Sequence, residues 1–182
     1  MKSFFIFIWE SLKIIIVALL IVVPVRYFLF QPFFVIGQSM VPNFNEGDYL
    51  IVDEISYRFV GPQRGDVIVF KYPENPTQRY IKRIIGLPGE TLEIKNGKIE
   101  IVPVSSAQIT LDESAYLSYS VETAGDINIA LGHNEYFVLG DNRPLSSDSR
   151  KWGTLPRENI IGKVFLRAWP VSVFAHIESP SY

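Results

Sequence analysis

The sequence contains no cysteine and only two histidines in 182 residues. Without cysteine there is no disulfide, no thiolate nucleophile and no cysteine-ligated metal. His133 and His176 stand apart from any metal-ligand spacing and no HExxH arrangement exists, so a three-histidine zinc site and a zincin helix are both excluded. Each histidine reads as an ordinary loop or tail residue. A large excess of either charge sign is missing too. Seventeen basic against nineteen acidic residues leave a net charge of -2 with no basic run, which gives nucleic acid nothing to hold. There is no internal repeat and no low-complexity tract.

What is present is apolar. Hydrophobic residues make up 48% of the chain and aromatics 14%, which argues against disorder and allows a sizeable core. The length suits one modest domain plus an anchor. The apolar excess is concentrated before residue 37. Ile14 to Val25 reads IIIVALLIVVPV without a charge, between Lys13 and Arg26. A helix needs roughly 20 residues to cross the hydrocarbon core. Extending back through Ile8 and Trp9 and forward through Tyr27 and Phe28 reaches that length, so one transmembrane helix is predicted over 8–28, after a short cytoplasmic segment 1–7. Glu10 and Lys13 lie one turn apart, where they can pair or snorkel. Trp9 and Tyr27 fall where interfacial aromatics belong. A cleaved signal peptide is the rival, but it would end in small residues in an A-x-A pattern, and VVPVRYFLFQPF has no small pair. Lys2 and Lys13 before the run, against Arg26 after it, favour the N-terminus inside and residues 29–182 outside the cytoplasmic membrane.

Beyond Gln31 come short runs rich in Val, Ile, Phe and Tyr. Strands are predicted at Phe33–Ile36, Tyr49–Asp53, Asp66–Phe70, Arg79–Ile85, Thr91–Ile94, Lys98–Ile101, Tyr136–Leu139 and Ile160–Trp169. Turn residues separate them, and Asn96-Gly97 signals a tight hairpin. No later segment holds a helical period, so the expected class is mostly β, a twisted and largely antiparallel sheet. Residues 103–132 are less patterned and read as an insertion or small subdomain. The tail after Trp169 is expected to be peripheral. Arg64-Gly65-Asp66 reads as a turn feeding the strand VIVF, and not as an adhesion tripeptide.

Three segments can carry chemistry. In Tyr80-Ile81-Lys82-Arg83-Ile84-Ile85, strand alternation places one of the two basic side chains among apolar neighbours whichever face is buried. A desolvated lysine loses affinity for its proton, as a lysine base requires. Taken alone, the same segment also fits a lysine snorkelling at a sheet rim. Ser39, in Gly37-Gln38-Ser39-Met40-Val41-Pro42, follows an apolar strand and needs an adjacent base to become nucleophilic. Alone it is a loop serine. Gly140-Asp141-Asn142-Arg143 with Ser146-Ser147-Asp148-Ser149-Arg150 forms a dense polar loop after EYFVL, which alone is a charged turn.

Together, and in this order, these segments resemble the signature boxes of the bacterial type I signal peptidases. Phe28-Leu29-Phe30-Gln31-Pro32-Phe33 and Arg64-Gly65-Asp66-Val67-Ile68-Val69-Phe70 add to the likeness, which spans nearly the whole chain. The resemblance implies a signal-peptidase-like partial barrel and a Ser–Lys dyad that cleaves exported preproteins after A-x-A sites at the outer face of the cytoplasmic membrane. Ser39 would be the nucleophile and Lys82 its general base. Ser146 would orient the lysine, and Asp141, Asp148 and Arg150 would support the loop. The backbone N–H of Ser39 would serve the oxyanion hole, because Gly37 stands where some members carry a serine hydroxyl. Asn43 follows Pro42 where threonine is common in the family, so a packing difference is expected there. Phe33, Val35, Met40, Phe44 and Ile81 would line small apolar pockets, with the substrate extended along the strands around Val35 and Lys82. The implied partners are signal-peptide-bearing preproteins and the lipid bilayer, with no metal, no organic cofactor and no nucleic acid. Two rivals use the same residues. A self-cleaving Ser–Lys protease of the repressor type would be soluble and often carry a DNA-binding module, and the apolar segment and lack of a basic helix argue against it. A catalytically silent, membrane-tethered interaction module would not need Ser39, Lys82 and Ser146 together.

Overall fold

The computed structural model describes residues 2–28, 30–103, 107–118 and 121–180, without the side chains of residues 2, 3, 21, 23–28 and 30. The predicted span over 8–28 and the stretch 28–33 lie partly outside these described residues. The chain opens with a 27-residue helix, α1 (Lys2–Phe28). From Phe4 to Leu20 its side chains are exposed, apart from half-buried Ser11. Glu10 and Lys13 pair at 2.8 Å, as their spacing predicts. Among the described residues no helix is long and apolar enough to cross a membrane.

The rest is antiparallel β structure in two sheets. The larger is built from β1 (Phe30–Phe34), β2 (Tyr49–Asp53), β3 (Val67–Tyr72), β4 (Asn75–Gly86), β9 (Glu135–Leu139), β10 (Leu155–Pro156), β11 (Ile160–Trp169) and β12 (Ala175–His176). Its order is β1-β2-β11-β3-β4-β9-β10, with β12 against β11. The smaller sheet contains β5 (Thr91–Lys95), β6 (Lys98–Val102), β7 (Ile109–Thr110) and β8 (Ile127–Ala130), in the order β7-β6-β5-β8.

The apolar run of β3 explains its central place. Val67 and Val69 enter one core cluster with Val35, Met40, Phe44 and Leu50, while Ile68 and Phe70 enter another with Ile84 and Val138. A strand buried on both faces needs a continuous apolar run and not an alternating one. The small sheet buries Leu92, Ile94, Ile99 and Ile101 against Ile85, Phe137 and Leu139, which fastens it to the large one. Asn96 and Gly97 both adopt positive φ, 51° and 76°, which fits the two-residue turn their sequence signals between β5 and β6.

Several boundaries differ from expectation. β1 lies earlier than predicted and carries Pro32, which is tolerated because β1 is an edge strand and the missing N–H breaks no inner ladder. β4 begins at Asn75 because the polar Asn75–Arg79 stretch continues the hairpin with β3 into solvent, where no apolar alternation marks it. Residues 103–132 contribute β7 and β8 to the small sheet. The tail is not peripheral. β12 pairs with β11, Ile177 packs on the core, and Ser179 bonds Asp66 and Lys163.

Candidate active site

Ser39 lies in the turn that follows β1, and Lys82 lies in β4, opposite Ile68 of β3. The fold brings them together: Lys82 Nζ stands 2.7 Å from Ser39 Oγ and 2.7 Å from the Ile81 carbonyl. Lys82 is buried, and burial is the leading reason its amine is pulled down to about 8, against the opposing charges of Asp148 and Asp141. The Tyr80 ring, two residues back on the same strand face, lies 5.5 Å from the ammonium.

Alternation predicts that one of Lys82 and Arg83 is desolvated. Both are, because the Lys82–Gly86 half of β4 is buried throughout. Arg83 meets the carboxylate of Asp141 with two hydrogen bonds, Nε to Oδ1 at 2.9 Å and NH2 to Oδ2 at 2.7 Å. Asp148 is likewise gripped twice by Arg150, at 2.8 Å each. Burial pushes the Asp148 carboxyl up, and the hydrogen bonds and charge of Arg150 outweigh it and hold it below the usual carboxylate range.

The loop after β9 is laid directly against the serine turn. The Asn142 backbone N–H donates to the Ser39 carbonyl at 3.0 Å, and its side chain donates to the Gln38 carbonyl at 2.9 Å. The Asp141 N–H points at the Met40 sulfur, 3.4 Å away. Asn43 joins the two segments: its side-chain amide donates to Asp141 Oδ2 and to the Tyr116 carbonyl, both at 2.8 Å. The Ser39 N–H makes no hydrogen bond among the described residues. Ser146 is buried nearby, but Lys82 donates to Ser39 and Ile81 and not to it. The Ser146 hydroxyl lies close enough to Asp148 to help hold its carboxyl down.

A cleft of about 490 Å³ opens over this pair. Phe33, Val35 and Ile81 line it, with Leu50, Val69 and Tyr80. Met40 and Phe44 do not. They are buried in the core behind the serine turn, packed with Val35 and Leu50. Apolar residues in a turn have no alternation to separate cleft from core. Arg79, which sequence reasoning missed, also lines the cleft and lies over the Phe33 ring at 5.6 Å. Asn142 and Arg143 were legible only as members of a polar box.

A family profile described as "Signal peptidase, peptidase S26" matches residues 8–169. The chain is 37% identical to a probable signal peptidase I-1 of Synechocystis, covering 95% of this chain and 88% of that protein. It is 36% identical to a signal peptidase I of Leptolyngbya laminosa, over 94% and 84% of the two chains. A signal peptidase IB of Staphylococcus aureus is 33% identical, over 90% and 91%. A crystal structure of a signal peptidase I from Enterococcus faecalis aligns with 58% of this chain and 97% of its own, at 35% identity and a TM-score of 0.46.

Proposed function

The chain belongs to the signal peptidase family and is a serine peptidase, and from that premise we propose that Ser39 and Lys82 are its reacting pair, cleaving preproteins after small residues at the outer face of the cytoplasmic membrane. The observation that carries the reading is the 2.7 Å contact between Ser39 Oγ and the amine of a buried lysine. Burial has a direct chemical consequence. With its pKa near 8, about a tenth of Lys82 is neutral at pH 7, against roughly one part in 2,500 for an ordinary lysine. In the neutral form the same contact runs the other way, and the serine O–H donates to the amine.

Ser39 then attacks the scissile carbonyl and Lys82 takes its proton. Collapse of the tetrahedral intermediate passes that proton to the leaving amine, leaving an ester on Ser39. A water, deprotonated by Lys82, hydrolyses the ester and restores the pair. The free N–H of Ser39 is the donor available to the oxyanion. Ser146, buried beside Asp148 in the same loop, is the proposed orienter of Lys82. The Asp141–Arg83 and Asp148–Arg150 pairs hold the loop that carries it.

The substrate lies extended in the cleft between the residues before Ser39 and the Tyr80–Lys82 edge of β4, adding a strand. Phe33, Val35 and Ile81 receive small side chains. α1 is the proposed anchor, with residues 1–7 inside and 29–182 outside. The support for this reading is that its apolar side chains from Phe4 to Leu20 are exposed.

The test is incubation of the purified full chain, in detergent or lipid, with a preprotein bearing an A-x-A site. Wild type releases the mature chain, and Ser39→Ala and Lys82→Ala do not. Equal cleavage by wild type and Lys82→Ala overturns the reading.

A further inference from the structure

The segment 103–132 does more than complete a small sheet. Residues 113–117 form one helical turn, with Tyr116 N–H and Leu117 N–H both bonded to the Glu113 carbonyl. The Glu113 carboxylate reaches out of this turn and accepts from both terminal nitrogens of Arg143, from NH1 at 2.9 Å and from NH2 in a shorter contact. Arg143 is 2% exposed. Its NH1 also bonds Thr123, and its Nε donates to the Gly140 carbonyl at 3.1 Å. Gly140 in turn abuts the Ser39 carbonyl, which also accepts from Asn142. A second strut runs in parallel, from the Tyr116 carbonyl through Asn43 to Asp141.

We propose that Glu113 is a positioning residue for the Ser39–Lys82 pair, acting through Arg143 on the 140–142 loop. The inference rests on the reading of Ser39 and Lys82 as the reacting pair and assigns a second task to a segment with no reacting group of its own. A guanidinium with five donors and almost no exposure to solvent must have its charge and hydrogen bonds met locally. Remove the Glu113 carboxylate and Arg143 has to turn toward water, which releases the Gly140 carbonyl and lets the Ser39 backbone shift. Displacement of a nucleophile by about 1 Å costs on the order of 10²-fold in rate. The cleft residues are untouched, so substrate binding should hardly change.

The experiment measures kcat and KM for preprotein cleavage by the full chain carrying Glu113→Ala, Glu113→Gln or Arg143→Lys, and the double variant Glu113→Ala with Arg143→Lys. Ser39→Ala is assayed alongside. Glu113→Ala should lose about 10²-fold in kcat with KM within about threefold of wild type, and Glu113→Gln should fall between. Because lysine cannot grip Glu113 and Gly140 at once, adding Glu113→Ala to Arg143→Lys should cost less than about threefold more. A role in stability alone would lower the melting temperature and leave kcat of the folded enzyme unchanged. Wild-type kcat in Glu113→Gln and Glu113→Ala, or effects of Glu113→Ala and Arg143→Lys that simply multiply, overturns the proposal. If Glu113→Ala does not fold, Glu113→Gln decides. Should Ser39→Ala cleave like wild type, the dyad reading fails; should it be inactive while the Glu113 variants keep full kcat, only the role of Glu113 fails.

Discussion

The carbonyl oxygen of Ser39 rests against Gly140 with no room for a side chain between them. A β-carbon added at Gly140 would stand 2.6 Å from Ser146 Cβ and closer still to the Ser39 carbonyl oxygen and the Ser146 hydroxyl. Two of these neighbours belong to groups that cannot swing aside, a backbone carbonyl and a side chain's first carbon. The glycine is therefore required by close approach.

Gly140→Ala should reduce cleavage by about 10²-fold or more, because either the serine turn or the 140–142 loop must move. The effect should appear in kcat, with circular dichroism of the β domain unchanged. Activity within a few-fold of wild type would show that the loop is looser than the packing implies.

Lys82 carries a second, thermodynamic consequence. Its folded pKa, about 8, lies below its ordinary value, so at pH 6–7 the folded state holds a buried ammonium at a cost. Between pH 8 and the ordinary value only the unfolded chain keeps the proton, and stability rises with pH as that cost fades. Lys82→Met should therefore stabilise the protein by about 3 kcal/mol at pH 6.5, with a benefit that shrinks above pH 8. Thermal melting across that range checks it, and a lower melting temperature for Lys82→Met at pH 6.5 would contradict it.

The Arg83–Asp141 pair, with side-chain exposures of 5% and 1%, carries the opposite liability. Asp141→Asn removes the carboxylate charge that grips the Arg83 guanidinium and should destabilise by about 3 kcal/mol or more in chemical denaturation. An unchanged denaturation midpoint would mean that other acceptors suffice.

The proposed reacting pair was legible in the sequence only through the resemblance its segments bear together to the signal peptidase boxes. Taken alone, Ser39 reads as a loop serine and Lys82 as a rim lysine. The bracing was not legible. Glu113 and Arg143 are 30 residues apart, and Asn43 and Tyr116 are 73 apart, with no periodicity to join them. Met40 and Phe44 were placed in the cleft because an irregular turn gives apolar residues no face. The two-residue strands β7, β10 and β12 are too short for any alternation to register, and the tail docks through Ser179 and Ile177, single contacts that composition cannot predict.

The central claim is that Lys82, neutral, is the base for Ser39. The most direct measurement is kcat/KM for cleavage of an A-x-A preprotein from pH 6 to 10. The rate should rise about tenfold per pH unit at the acid end and level off near pH 8, where Lys82 loses its proton. A profile that is flat over this range, or one whose rise is kept in Lys82→Ala, would contradict it.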